Sequence, residues 1–427
     1  MRQKAAALCL MLLLLLGAVP VFAAWDAENE AVHAEEEGLR ESGGDFPAPG
    51  KTEPLPAGDV AEEPPVYISP GDALPQVTAR SAVVMDALTG EVLYQRCMND
   101  RRFPASTTKI MTLLTALEAK GVGMDDAVTV SGAAADTEGS TMWLERGDRY
   151  RLEDLLYGMM LVSGNDAAVA VAEHVAGSVS AFAERMTEKA REIGAKDTRF
   201  ANSCGLHNPC HYTTAHDLAL IAAYGCQNPT FRKIVSTKER RVPLIKPPFF
   251  QNLENENMLL WIYRGANGVK TGYTDAAGRC VVTAAERDGV QLVAVVLDGI
   301  YMWNDSIAML DYGFRHIEGR DFVKKGERVA AVSVAGGNQE SVALTAESAL
   351  RLPVPHGDAS AYRREIKAPR SVEAPVQRGE KLGEVIYYYR DKKVASVALA
   401  AESRVGRDDS FLAGLSRLWH KISALFL

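Results

Sequence analysis

Pro104-Ala105-Ser106-Thr107-Thr108-Lys109 sets a hydroxyl three residues before an amine, directly after a proline. If a helix begins here, that offset stacks the two side chains on one face, one turn apart. Ile110, Met111, Leu113, Leu114 and Leu117 recur at helical spacing, which predicts a largely buried helix from Ser106 to Lys120. A serine hydroxyl is a weak nucleophile until a base takes its proton. A lysine one turn away can be that base once its own proton has been driven off. Serine and lysine are common residues, so the pair gains meaning only from what stands downstream.

Two further short motifs follow in order. Leu152 to Val162 reads as an apolar helix, Ser163-Gly164-Asn165 interrupts it, and Asp166 caps an alanine-rich helix running to about Ala176. Thr214-Ala215-His216-Asp217 starts a fourth helix, and His174, inside the third, reads as a satisfied structural histidine. Beyond Gly268 the period changes. Val269-Lys270-Thr271-Gly272 reads as a strand, and Arg279 to Ala285 and Val290 to Leu297 form a hairpin around Asp288-Gly289. An earlier hairpin joins Ser81–Asp86 to Glu91–Tyr94 across Thr89-Gly90. Helices enclosed by early and late strands predict one α+β domain whose sheet joins both ends of the segment 77–318.

The flanking segments differ in character. The chain has 427 residues and a net charge of −8, but residues 25–76 alone carry thirteen acidic and two basic residues, leaving the remainder at +3. A nearly neutral folded part gives no reason to expect nucleic-acid binding. Residues 24–76, rich in Pro, Gly, Glu and Ala, read as a disordered acidic spacer. Arg2 and Lys4, the apolar run Leu8 to Leu16 and Val21-Phe22-Ala23 read as an export signal over residues 1–23, an uncleaved anchor being the alternative. Both place the rest of the chain outside the cytoplasm. Short strands at Val329–Val334, Ser341–Thr345, Glu384–Tyr389 and Val394–Leu399 predict a separate all-β domain over residues 319–405. In residues 408–427, Phe411, Leu412, Leu415, Leu418, Trp419 and Ile422 share a helical face opposite Arg417, His420 and Lys421, the pattern of a helix lying on a membrane surface. Packing on its own domain or on a partner is the competing reading. Cys204-x-x-His207-x-x-Cys210-His211 is read as a loop with two thiols rather than a zinc site, and no metal or cofactor is expected.

Ser-x-x-Lys, Ser-Gly-Asn and Lys-Thr-Gly, in this order and in these contexts, are the set found in penicillin-binding proteins and β-lactamases. Pro104 to Thr112, Ser163 to Ala168, His211 to Ala215 and Gly268 to Gly278 closely resemble the serine-type D-alanyl-D-alanine carboxypeptidases, the low-molecular-mass penicillin-binding proteins. The resemblance implies a transpeptidase-like α+β domain, often followed by a β-domain and a C-terminal helix. It implies peptidoglycan stem peptides ending in D-Ala-D-Ala as substrate and β-lactams as covalent inhibitors. On this reading Ser106 attacks the carbonyl between the two D-alanines, Lys109 accepts its proton, and Ser163 and Lys270 relay that proton to the leaving amine. Asn165 fixes Lys109 and holds the peptide amide. Lys270 and Thr271 take the terminal carboxylate, Gly272 lets the substrate backbone lie against the strand, and the backbone N–H groups of Ser106 and Tyr273 form the oxyanion hole. Many relatives carry an arginine near where this chain reads Trp303-Asn304-Asp305, and Arg279 is the candidate substitute.

Three other readings use the same residues. A class A β-lactamase would need a glutamate to activate the deacylating water, and no Glu-x-x-Leu-Asn lies between Asn165 and Lys270. Endopeptidase or transpeptidase activity needs only a different acyl donor or acceptor. An inactive wall-binding protein would not need Ser106, Lys109, Ser163 and Lys270 all intact.

Overall fold

The central strand of the main sheet, Val-Gln-Leu-Val-Ala-Val-Val-Leu, is apolar on both faces because it is covered on both. The computed structural model describes residues 73–243 and 250–408. Strands β1 (Ser81–Asp86), β2 (Val92–Arg96), β3 (Ala266–Thr274), β4 (Gly278–Arg287) and β5 (Val290–Leu297) form one antiparallel sheet in the order β2-β1-β5-β4-β3. Val293, Val295 and Leu297 face a large helical core, whereas Leu292, Ala294 and Val296 face a smaller one, so successive residues serve opposite layers. The β4–β5 turn uses Asp288 at φ +50° and Gly289 at φ +80°, the backbone the Asp-Gly pair predicts.

The larger core is built by helices α1 (Lys109–Leu117), α2 (Leu152–Leu161), α3 (Asn165–Ala176), α4 (Val179–Ile193) and α5 (Ala215–Gly225). The N-cap of α5 is Thr214, whose side chain accepts from the Asp217 N–H, as the sequence suggests. The smaller core is closed by α6 (Met302–His316) through Met309, Leu310 and Tyr312. His174 meets Asp126 at 3.3 Å.

Two helix starts differ from expectation. Residues Ala105–Thr108 form a 3-10 turn, and the α-helix proper runs only over Lys109–Leu117. Ala105 is buried at φ +47°, a left-handed conformation that tightens the chain ahead of Ser106. Asp166 is not a cap. Helix α3 begins at Asn165 after Gly164, and the buried Asp166 carboxylate instead accepts from Thr141 Oγ1 and from the N–H groups of Met142 and Leu144. An extended loop offering several donors satisfies a buried carboxylate better than one helix end does.

Helix α6 passes without a linker into β6 (Ile317–Val323), which pairs with β9 (Leu350–Pro355). The four strands expected beyond it are present as β7 (Arg328–Ala335), β8 (Ser341–Ala346), β12 (Lys381–Tyr389) and β13 (Lys392–Ala401). With β10 (Tyr362–Lys367) and β11 (Ser371–Glu373) they form a six-stranded sheet, β10-β12-β13-β8-β7-β11. Leu88, from the β1–β2 turn, packs on this β-rich core, and Glu91 accepts from Tyr389 Oη at 3.1 Å and pairs with Arg390 at 2.8 Å. The expected export signal, the spacer up to residue 72 and the terminal helix over 409–427 lie outside the described residues.

Candidate active site

Lys109 is fully buried at the first turn of α1, and three oxygens surround its ammonium. Nζ lies 2.9 Å from Ser106 Oγ, 2.6 Å from Asn165 Oδ1 and 2.8 Å from the Cys204 carbonyl oxygen. The 3-10 turn keeps the Ser106–Lys109 offset within hydrogen-bond reach although the helix starts later than predicted. Burial, with the nearby charge of Lys270 adding to it, lowers the Lys109 pKa from 10.5 to about 7. Asn165 is fixed at both ends, since its Nδ2 donates to the Glu138 carbonyl at 2.7 Å and its backbone N–H to the Ser140 carbonyl at 2.7 Å. One of its two amide hydrogens is therefore spent internally.

Ser163 is buried in the α2–α3 loop at φ +59°. It stands two residues before Asn165; among the described residues its hydroxyl shares no hydrogen bond with Lys109 or Lys270. Lys270 and Thr271 sit in β3, both buried, with Lys270 Nζ 3.2 Å from Thr271 Oγ1. Burial lowers the Lys270 pKa. Tyr273, about half exposed, follows at the strand end, opposite Arg279. Gly272 packs against the turn that carries Ser106. A Cβ there would lie 2.8 Å from Ser106 N and 2.9 Å from Thr107 N, so the strand backbone presses directly on the turn that carries Ser106. All eight site residues named from the sequence thus fall on three adjoining segments: the 105–109 turn, the 163–165 loop and strand β3.

Near the predicted arginine position the chain is different in kind. Asp305 is a buried carboxylate holding Thr78 and Ala79 through their N–H groups, and Arg279 donates to the Ile300 carbonyl at 3.2 Å.

Sequence reasoning missed three participants. The first is the Cys204 carbonyl. The thiol had drawn attention, but it is the backbone that reaches Lys109, held by Asn202 Oδ1, which accepts from Cys204 N and Gly205 N. Asn-Ser-Cys-Gly is a turn signal that could have marked this loop. Gly205, at φ +97°, lies so close behind Ala105 that a Cβ would fall 1.9 Å from the Ala105 carbonyl oxygen. The second is His211. Its Nδ1 accepts from Ala201 N and its Nε2 contacts Thr108 Oγ1 at 2.8 Å, so the ring ties the Cys204 loop to the turn that carries Ser106. The other members of that Cys/His run turn elsewhere, His207 stacking edge-on against Phe103 and Cys210 lying exposed. The third is Glu256, whose Oε2 accepts from Thr271 Oγ1 at 2.8 Å and lies 3.4 Å from Lys270 Nζ.

The segment that holds the serine–lysine pair, the fixed asparagine and the Lys-Thr-Gly strand is matched by one family model, that of D-alanyl-D-alanine carboxypeptidases, over residues 69–300. The chain belongs to the peptidase S11 family of D-alanyl-D-alanine carboxypeptidases. A second model, the penicillin-binding protein 5 C-terminal domain, covers residues 318–407 of this carboxypeptidase. It is 35% identical over 331 residues to D-alanyl-D-alanine carboxypeptidase DacF of Bacillus subtilis, an alignment covering 76% of this chain and 85% of DacF. The crystal structure of penicillin-binding protein 5 from Haemophilus influenzae is similar with a TM-score of 0.57 and 31% identity, covering 79% of this chain and all of that one. A mutant of the Streptomyces K15 DD-transpeptidase matches 56% of this chain and 99% of its own, at 34% identity and a TM-score of 0.54. The carboxypeptidase therefore has the penicillin-binding-protein-5 architecture, an α+β domain followed by an all-β domain.

Proposed function

We propose that this serine D,D-carboxypeptidase removes the terminal D-alanine of peptidoglycan stem pentapeptides through an acyl-enzyme on Ser106, with Lys109 as base. One observation carries the assignment of roles. Neutral Lys109 has two N–H groups, and two fixed acceptors, Asn165 Oδ1 and the Cys204 carbonyl, stand ready for them. The lone pair is then directed at Ser106 Oγ, 2.9 Å away. As Oγ attacks the scissile carbonyl carbon its proton moves to Nζ, and charge develops on the carbonyl oxygen. The packing of Gly272 on Ser106 N supports an oxyanion hole made by the Ser106 and Tyr273 N–H groups. Ser163 and Lys270 relay the proton to the departing D-alanine amine, the C–N bond breaks, and water later hydrolyses the ester. Lys270 and Thr271 take the terminal carboxylate, the charge that D-Ala-D-Ala shares with penicillin.

The test is incubation of the protein with a D-Ala-D-Ala pentapeptide, with and without benzylpenicillin. Release of one D-alanine per peptide, blocked by a long-lived penicillin adduct mapped by mass to Ser106, is expected. Steady turnover of penicillin would favour the β-lactamase reading, and labelling retained after Ser106→Ala would show a different nucleophile.

We further propose that the enzyme is exported and rests on the outer face of the membrane through residues 408–427. The apolar face of that segment, set opposite Arg417, His420 and Lys421, supports this reading. Deleting residues 408–427 should release the signal-cleaved protein from the membrane pellet while leaving pentapeptide hydrolysis intact. Unchanged pelleting would exclude the anchor.

A further inference from the structure

We infer that Glu256 is a built-in occupant of the carboxylate subsite, holding the Lys270 ammonium and the Thr271 hydroxyl until a substrate carboxylate displaces it. The inference rests on the reading that Lys270 and Thr271 receive the substrate's terminal carboxylate. Both groups already face a carboxylate of the same chemistry. Thr271 Oγ1 donates to Glu256 Oε2 at 2.8 Å, and Lys270 Nζ stands 3.4 Å from that oxygen.

The backbone around Glu256 is locked. Its own N–H donates to the Leu161 carbonyl, two residues before Ser163. Its neighbours Asn255 and Asn257 are buried. Asn255 Nδ2 donates to the Thr237 carbonyl and its Oδ1 accepts from Asn257 N, while Asn257 Oδ1 accepts from Leu259 N. The Glu256 side chain, by contrast, is 41% exposed, against 1% for Lys270. The fold thus aims this one carboxylate at the subsite and leaves it room to swing outward. The displaced carboxylate can return to water, whereas Lys270, buried beneath it, cannot follow.

An incoming carboxylate must break both Glu256 contacts before it makes its own. A neutral ligand of the same shape does not compete for them. The preference of the enzyme for anionic over neutral acyl donors is therefore smaller than Lys270 and Thr271 alone would give. Glu256 is a specificity-determining residue in this sense, and its effect is confined to the carboxylate end of the ligand.

The measurement is the second-order rate of Ser106 acylation by benzylpenicillin and by its uncharged methyl ester, in the full chain at pH 7. The ratio of the two rates cancels any loss of folding or of general reactivity. Glu256→Gln keeps the size of the side chain and removes its charge; the ratio should rise about tenfold, the worth of one charge-assisted hydrogen bond. Glu256→Asp keeps the charge but withdraws it by one methylene, and the ratio should rise here too. A ratio that stays constant or falls in both variants overturns the proposal while leaving the carboxypeptidase mechanism standing. Absence of any Ser106 adduct in the unaltered protein overturns the mechanism, and this proposal with it.

Discussion

Lys109→Met should slow acylation of Ser106 by about 10³- to 10⁴-fold while leaving the protein folded. General-base catalysis contributes roughly 10²–10⁴ in rate, and the proposed base also holds Ser106 Oγ at 2.9 Å, so the upper part of that range applies. Methionine preserves the length and apolar stem of a side chain that is wholly buried. It offers no proton acceptor to Ser106 Oγ and no donor to Asn165 Oδ1 or the Cys204 carbonyl. In the unaltered enzyme the pH dependence of acylation should carry an acid limb with a midpoint near 7, the value to which burial lowers the Lys109 pKa. Below that midpoint the amine is protonated and cannot accept. Stopped-flow acylation across pH 5 to 9 checks both statements, and a flat profile would sink the lysine base. The same group opposes stability. Its folded pKa lies below the unfolded 10.5, so the unfolded chain holds more protons between about pH 7 and 10.5. The contribution of Lys109 to stability must therefore rise with pH across that window, its cost being fully present below 7.

Gly272→Ala is the second large effect, and its cause is purely steric. The new methyl would stand 2.8 Å from Ser106 N, 2.9 Å from Thr107 N and 3.2 Å from Ala105 Cβ. Two of these are backbone atoms in a strained turn, and Gly205 closes the space behind that turn, so neither partner can yield freely. Strand β3 must move away by a few tenths of an ångström. Overpacking of this kind costs about 1–3 kcal/mol, which a domain of this size survives. The functional loss should be larger than the stability loss, because the Ser106 and Tyr273 N–H groups proposed to form the oxyanion hole would be moved relative to one another. Loss of one oxyanion donor is worth about 10²–10³ in rate. Acylation by benzylpenicillin should fall by that factor with the thermal transition still cooperative. A variant acylated within about threefold of the parent would show that β3 does not position the nucleophile turn.

The residues proposed to do the chemistry were legible in the sequence because they are tied to short spacings. Ser106 and Lys109 share a turn, Ser163 and Asn165 share a loop, and Lys270 to Tyr273 share a strand. The Asp288-Gly289 hairpin and the helix start at Thr214 were legible for the same reason. What the sequence hid are relations between distant segments. The Cys204 carbonyl contacts a lysine 95 residues earlier, and nothing about a carbonyl distinguishes one residue from the next. Asp166 stands where a cap is expected, yet its carboxylate serves a loop more than twenty residues upstream. Glu256 shows no pattern at all, being one acid between two asparagines until the fold turns it toward Lys270. In the β-domain, β10 is Tyr-Arg-Arg-Glu-Ile-Lys and β9 carries two prolines, so neither reads as a strand although the ladder holds both.

The turn at Ala105 touches three parts of the domain at once: Gly272 in front, Gly205 behind and, through Thr108, His211 to the side. None of these contacts is local. A partly folded chain in which strand β3 has not docked lacks the Gly272 contact on this turn, however much secondary structure it holds. With Ser106 as the proposed point of covalent attachment, labelling by penicillin should count the molecules in which these distant contacts have formed, and so should serve as a clock for maturation of the domain.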